Sequence, residues 1–137
     1  MKRRELLPGI EWVGAVDWDR RLFDALIPLP DGTSYNAYLV KGRDRTALID
    51  TVDPTKADAL WEHLADVARV DDLVIQHVEQ DHSGLAPEVV ARYEALGARI
   101  FRTDTEGAIQ VTTDGSSLTV GAYVGRQKYE CRMMTDE

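Results

Sequence analysis

The chain has 137 residues, enough to bury about two thirds of its unfolded surface around one core and too few for a two-domain enzyme. Sixteen Lys and Arg against twenty-four Asp and Glu give a net charge of −8, so the field of the whole chain opposes phosphate backbones, and nucleic acid is excluded as an expected partner. Hydrophobic residues at 44% and charged residues at 29% are globular values, which excludes a chain that stays disordered.

The basic start, Met1 to Arg4, runs through Leu6 and Leu7 straight into Pro8 and Gly9, so no apolar segment of signal or membrane length follows it. A cytoplasmic address and no membrane partner are expected. Short β-rich segments come next, at 10–16, 21–27, 34–40 and 46–49, punctuated by Pro28, Pro30, Asp31-Gly32 and Lys41-Gly42. They predict an antiparallel opening with a tight hairpin at 42–44. Ala57, Leu60, Trp61, Leu64, Val67 and Ala68 then recur at helical spacing and predict a helix over 55–68, entered at Asp53-Pro54. His63 falls with Lys56, Asp58 and Glu62 and reads as a solvated surface residue.

Leu73-Val74-Ile75 is a short apolar run of the kind that makes a buried strand, and a polar loop closed by Gly84 follows it. A second helix is expected from Pro87 to Leu96, ended by Gly97. Three strands, near 98–102, 108–112 and 117–120, close the fold, and 123–137 reads as a loosely held tail. The expected organisation is one domain over 1–122, α/β (α+β), with a mixed β-sheet and two main helices. A single cysteine, Cys131, lies in the tail and can form no internal disulfide, which agrees with a reducing compartment.

The chemistry concentrates between 77 and 82, where His77, Glu79, Asp81 and His82 put two imidazoles and two carboxylates directly after a buried strand. All four are metal-ligand types; on ligand chemistry alone a metal site and a polar surface loop both fit. The surrounding text is more specific. Trp12-Val13-Gly14-Ala15-Val16-Asp17, Thr33 to Val40, Ala47-Leu48-Ile49-Asp50-Thr51-Val52 and above all His-x-Glu-x-Asp-His-Ser-Gly at 77–84 resemble the metallo-β-lactamase-like domain of flavodiiron proteins, over about residues 12–93. Residues 94–120 resemble the closing strands of the metallo-β-lactamase-like domain of DNA-internalisation competence proteins.

The resemblance implies a truncated metallo-β-lactamase-like fold and a non-haem di-iron site that reduces oxygen or nitric oxide. It implies that His77 and Glu79 bind one iron and Asp81 the other, with His82 beside the second. Hydrolase branches of the superfamily carry His where Glu79 stands; the carboxylate adds negative charge and a hard donor, favouring iron over zinc. The family completes its site with two further histidines and a bridging carboxylate downstream, whereas this chain has no histidine after His82. Asp104, Glu106, Asp114 and Cys131 are the substitutes within the chain, and each reads more simply as a turn or tail residue. No Gly-rich phosphate loop is present, so FMN is not expected here and electrons would come from a separate rubredoxin or flavodoxin-like donor. Loss of part of the parental double layer predicts an exposed apolar face, and burial of that face against a second copy predicts a homodimer. The alternatives are a zinc hydrolase of the metallo-β-lactamase type and a non-catalytic interaction module.

Overall fold

The computed structural model describes residues 3–76, 78–114, 117–124 and 127–129. Strands β1 (Arg4–Leu7) and β2 (Ile10–Trp12) form the first hairpin. The chain continues through β3 (Ala15–Asp17), the short pair β4 (Leu22–Phe23) and β5 (Ile27–Pro28), then β6 (Thr33–Tyr35), β7 (Tyr38–Lys41) and β8 (Thr46–Ile49). A 3-10 turn at Pro54–Lys56 leads into α1 (Ala57–His63), followed by β9 (Asp72–Ile75), the single turn α2 (Gln80–Ser83) and α3 (Ala86–Glu94). β10 (Arg99–Arg102), the single turn α4 (Thr103–Glu106), β11 (Ala108–Thr113), β12 (Leu118–Val124) and β13 (Gln127–Tyr129) complete it.

Six strands form the main sheet in the order β1-β2-β7-β8-β9-β10, antiparallel up to β8 and parallel from β8 to β10. Alternation along these strands explains why both faces are covered. Leu39, Leu48, Leu73 and Ile75 point to one side, where they pack with Leu60 of α1, Val89 and Tyr93 of α3, and Val13, Ala15 and Tyr35. Their neighbours Val40, Ala47, Val74 and Phe101 point to the other side and meet Leu118, Val120 and Ala122 of β12. The expected bare face of the sheet is therefore corrected: the meander β11-β12-β13 supplies a second layer over it.

Several expected elements are cut shorter. The segment 10–16 breaks at Val13-Gly14, where a Cβ on Gly14 would stand 2.0 Å from the Tyr35 carbonyl oxygen, so the chain leaves the main sheet to pair β3 with β6. The segment 21–27 is a two-strand hairpin whose tip, Asp24-Ala25, takes positive φ values of 48° and 57°. Helix α1 stops at His63, and turns closed by Ala65 N–H to the Glu62 carbonyl and Val67 N–H to the Leu64 carbonyl carry the chain on, keeping Leu64 and Val67 buried.

His63 is the clearest correction. It is 4% exposed, its Nδ1 lies 2.9 Å from the Val13 carbonyl oxygen, and its ring is tilted against Trp12 with centroids 6.0 Å apart. Three residues beyond Leu60, it shares that residue's inward face, so one polar atom satisfied by a backbone carbonyl lets the imidazole serve as core.

Beside β3 and β6 the buried Asp17, Tyr35 and Asp53 meet two half-buried cations, Lys56 and Arg20. The Tyr35 hydroxyl donates to Asp17 Oδ2 at 3.2 Å, Lys56 Nζ stands 3.1 Å from Asp17 Oδ1, and Arg20 Nη1 stands 3.6 Å from Asp53 Oδ2. Burial alone would raise the Asp17 carboxyl, but the Lys56 ammonium, the Asp19 N–H and the Tyr35 hydroxyl outweigh it and hold Asp17 below its usual range. Burial, with the Asp53 and Asp17 charges behind it, pushes Tyr35 up to about 12. A depressed carboxylate stabilises the fold above its unfolded value and withdraws that support as pH falls through its folded one. A raised phenol does the opposite, its support vanishing as pH climbs from about 10 towards 12. Urea midpoints measured across pH should fall at both ends, and Tyr35→Phe should remove the alkaline fall attributable to this residue.

Tyr93 is fully buried, and among the described residues its hydroxyl has no hydrogen-bond partner. Removing that oxygen takes away an unsatisfied polar atom and leaves the ring packing intact, so Tyr93→Phe should be neutral or more stable by up to about 1 kcal/mol in chemical denaturation.

Candidate metal centre

The loop 76–84 hangs from the carboxyl ends of parallel strands β8 and β9, the end at which open sheets of this kind present ligand-binding residues. Asp50, the residue after β8, organises it. Its backbone sits in the left-handed region at φ 60°, a conformation Asp tolerates better than most residues. Its Oδ1 accepts the Gln76 N–H at 2.7 Å, and its Oδ2 lies 2.8 Å from Nδ1 of His82. One buried carboxylate thus fixes both the start of the loop and the imidazole near its end.

Thr51 adds a second clamp. Its N–H and its hydroxyl both donate to the His82 carbonyl oxygen, at 2.8 and 2.7 Å, while its Oγ1 accepts the Leu85 N–H at 3.3 Å. On the far side the Thr103 hydroxyl donates to the Gln76 carbonyl, so both backbone groups of Gln76 are engaged. Gly84 is needed for room: a Cβ there would stand 2.4 Å from the Gln80 carbonyl oxygen and 2.5 Å from Pro54 Cδ. The 3-10 turn and the loop are therefore in direct contact.

Of the four donors expected from the sequence, Glu79 is exposed at the head of α2, and Asp81 and His82 are half-buried within it. The structure brings Asp81 and His82 side by side, with Asp81 Oδ2 3.5 Å from His82 Nε2. His77 lies outside the described residues, as do Cys131 and the side chain of Asp104. Among the substitutes, Glu106 closes α4 and Asp114 accepts the Ser117 N–H at 2.6 Å in a turn. Among the described residues no three His, Cys, Asp or Glu side chains surround a common point. In kind, carboxylates with an imidazole suit iron; Glu79, Asp81 and His82 are three in number, but among the described residues they do not converge on one point as the protein ligands of a metal site do.

Sequence reasoning missed Asp50 as a site residue. The available signal was an Asp directly after the apolar run Ala47-Leu48-Ile49, one step before a buried Thr.

Residues 30–100 match the model of the metallo-β-lactamase superfamily. The chain belongs to that superfamily. The matched span holds β7 to β9, the Asp50 clamp and the 76–84 loop. Within the superfamily it is similar to flavodiiron-type proteins. The type A flavoprotein fprA of Rhodobacter capsulatus is 43% identical over 96 residues, covering 68% of this chain and 22% of the flavoprotein. The rubredoxin-oxygen oxidoreductase of Megalodesulfovibrio gigas is 33% identical over an alignment of 150 residues, covering 98% of this chain and 36% of that protein. That coverage takes in the C-terminal strands as well. The solved structure of the rubredoxin oxygen:oxidoreductase from Desulfovibrio gigas superposes with a TM-score of 0.62 at 38% identity, over 67% of this chain and 23% of the other. The chain thus spans only 22–36% of the length of these relatives. No helix among the described residues is long and apolar enough to cross a membrane.

Proposed function

We propose that this chain is an iron-binding domain of the flavodiiron type, oxidoreductase by ancestry, in which His77, Glu79 and Asp81 hold the metal and His82 lies beside it. The observation that supports this reading best is the Asp50–His82 contact, because a carboxylate on one imidazole nitrogen fixes the ring and its tautomer. Thr51 and the Gln76 backbone set the loop in place before any cation arrives, which lowers the ordering cost of binding. Bound iron would supply one-electron chemistry towards a small diatomic such as oxygen or nitric oxide.

The proposed site is incomplete, because the chain has no histidine after His82 to stand for the family's later ligands. The remaining ligands come from water, from a second copy of the chain or from another partner, electrons come from a rubredoxin or flavodoxin-like donor, and the isolated chain is inactive. A hydrolase would place a neutral imidazole where Glu79 stands. Glu79→His should therefore lower the ratio of iron to zinc taken up in anaerobic competition by about tenfold or more, read by elemental analysis. An unchanged ratio would remove Glu79 from the site. The second reading, a non-catalytic module, is favoured by the lack of three converging donors among the described residues.

A further inference from the structure

A strand at the edge of a sheet offers unpaired N–H and C=O groups to any further strand, and this molecule guards its edges unequally. The main sheet ends on β1 and β10. β1 carries Arg4 and Glu5 and shifts register between Glu5 and Leu7, while β10 begins and ends on an arginine, Arg99 and Arg102. Charges and irregularities of this kind keep a further strand from adding on.

The covering layer ends differently. β11 is the outer strand of the order β11-β12-β13, and among the described residues it pairs with β12 alone. From Ala108 to Thr113 it has no charge and no proline, and its register with β12 runs without a bulge. Alternate residues of an antiparallel strand turn their N–H and C=O to opposite sides, so half of the backbone groups of β11 face away from β12. The apolar packing is open at the same edge. Leu118, Val120 and Ala122 of β12 are buried, whereas Ile109 and Val111 of β11 are only half-buried against the same core.

We infer that β11 is a self-pairing edge, at which two copies of this chain add β11 to β11, antiparallel, about a two-fold axis at Gln110. A two-fold that continues a sheet keeps each face on its own side, so it can set residue 109 opposite 111 and residue 110 opposite itself. Ile109 then lies across from the partner's Val111 and Val111 across from the partner's Ile109, which completes the burial of both. The paired stretch 108–112 stops short of Asp114 and of Glu106, which belongs to α4, so no like charges meet in it. A second copy is the occupant because this register matches the two inward apolar residues to each other with no charge along the seam. The inference is independent of metal binding, since β11 holds none of the proposed ligands.

The test is sedimentation equilibrium of the full chain up to about 1 mM, with amide NMR on dilution and the variants Gln110→Lys and Gln110→Glu. Gln110 is exposed and its side-chain oxygen accepts a surface hydrogen bond from the Tyr123 hydroxyl, so both variants leave the core packing in place. A contact this small should half-dimerise near about 0.1 mM. Added salt should tighten it by screening the net charge of −8 on each copy. Amide shifts on dilution should centre on 108–112. Each variant alone should associate about tenfold more weakly, because like charges then meet at the two-fold, and an equimolar mixture of the two should regain the parent's association. A parent chain that stays monomeric throughout would overturn the assignment and leave the edge to a strand of another protein. Shifts centred elsewhere, or a mixture no stronger than either variant alone, would overturn it as well. The parent's dilution series needs no variant, so a folding defect in either leaves the test decisive. A negative outcome leaves iron uptake by the loop unaffected.

Discussion

Asp50→Ala should lower the thermal midpoint by about 10 °C, the loss expected of roughly 3–4 kcal/mol in a chain of this size. The substitution strips the Gln76 N–H of its acceptor and His82 Nδ1 of its partner, each a part-buried group whose desolvation is then uncompensated. It also puts Ala at φ 60°, which costs a further 1 kcal/mol or so. Asn keeps the left-handed preference and an acceptor for Gln76, so Asp50→Asn should recover more than half of the loss. Differential scanning calorimetry of the two variants, with amide exchange followed at Gln76, separates these contributions. Equal losses for Ala and Asn would mean that the negative charge, not the acceptor geometry, holds the loop.

A comparable loss is expected from Arg45→Met, at the opposite end of β8. Asp72 opens β9 and is 1% exposed; Arg45 reaches it through Nε at 3.1 Å and Nη2 at 2.6 Å. Deleting the guanidinium leaves a buried carboxylate without its counter-charge, a change that typically costs about 3–5 kcal/mol. The pair replaced as a whole behaves differently, because neither charge is then left desolvated. Arg45→Met with Asp72→Leu should regain most of the stability in urea denaturation, coming within about 1 kcal/mol of the parent. A double variant as unstable as the single one would assign the loss to strand register, since Asp72 pairs with both Ala47 and Arg99 across the parallel strands.

Much of the frame was legible because it obeys simple periods. Leu73-Val74-Ile75 is apolar on both faces, as a strand covered on both sides must be, and the structure buries all three. The 77–82 cluster stood out as four donor side chains after such a strand, and its resemblance to flavodiiron text named the family. What escaped was decided by contacts distant in sequence. His63 sits at inward spacing from Leu60, but the partner that satisfies its ring there is the Val13 carbonyl, 50 residues away, and Asp50 meets His82 across 32 residues. Helical periodicity ran on to Ala68 because Leu64 and Val67 are buried, yet they lie in turns after α1 rather than in it. The strands near 108–112 and 117–120 read from the sequence only as closing the fold, and Leu118, Val120 and Ala122 meeting Val40 and Val74 reveal them as the cover of the sheet.

The account rests on the loop after β9 gripping iron. Its most direct test is elemental analysis of the full chain, reconstituted with ferrous ion under anaerobic conditions and passed through a desalting column. Retained iron in fixed proportion to protein, lost in Glu79→Ala and Asp81→Ala variants that keep the parent's circular dichroism, is the predicted result. A chain that emerges with no iron, or one whose iron is unchanged by both substitutions, would contradict it.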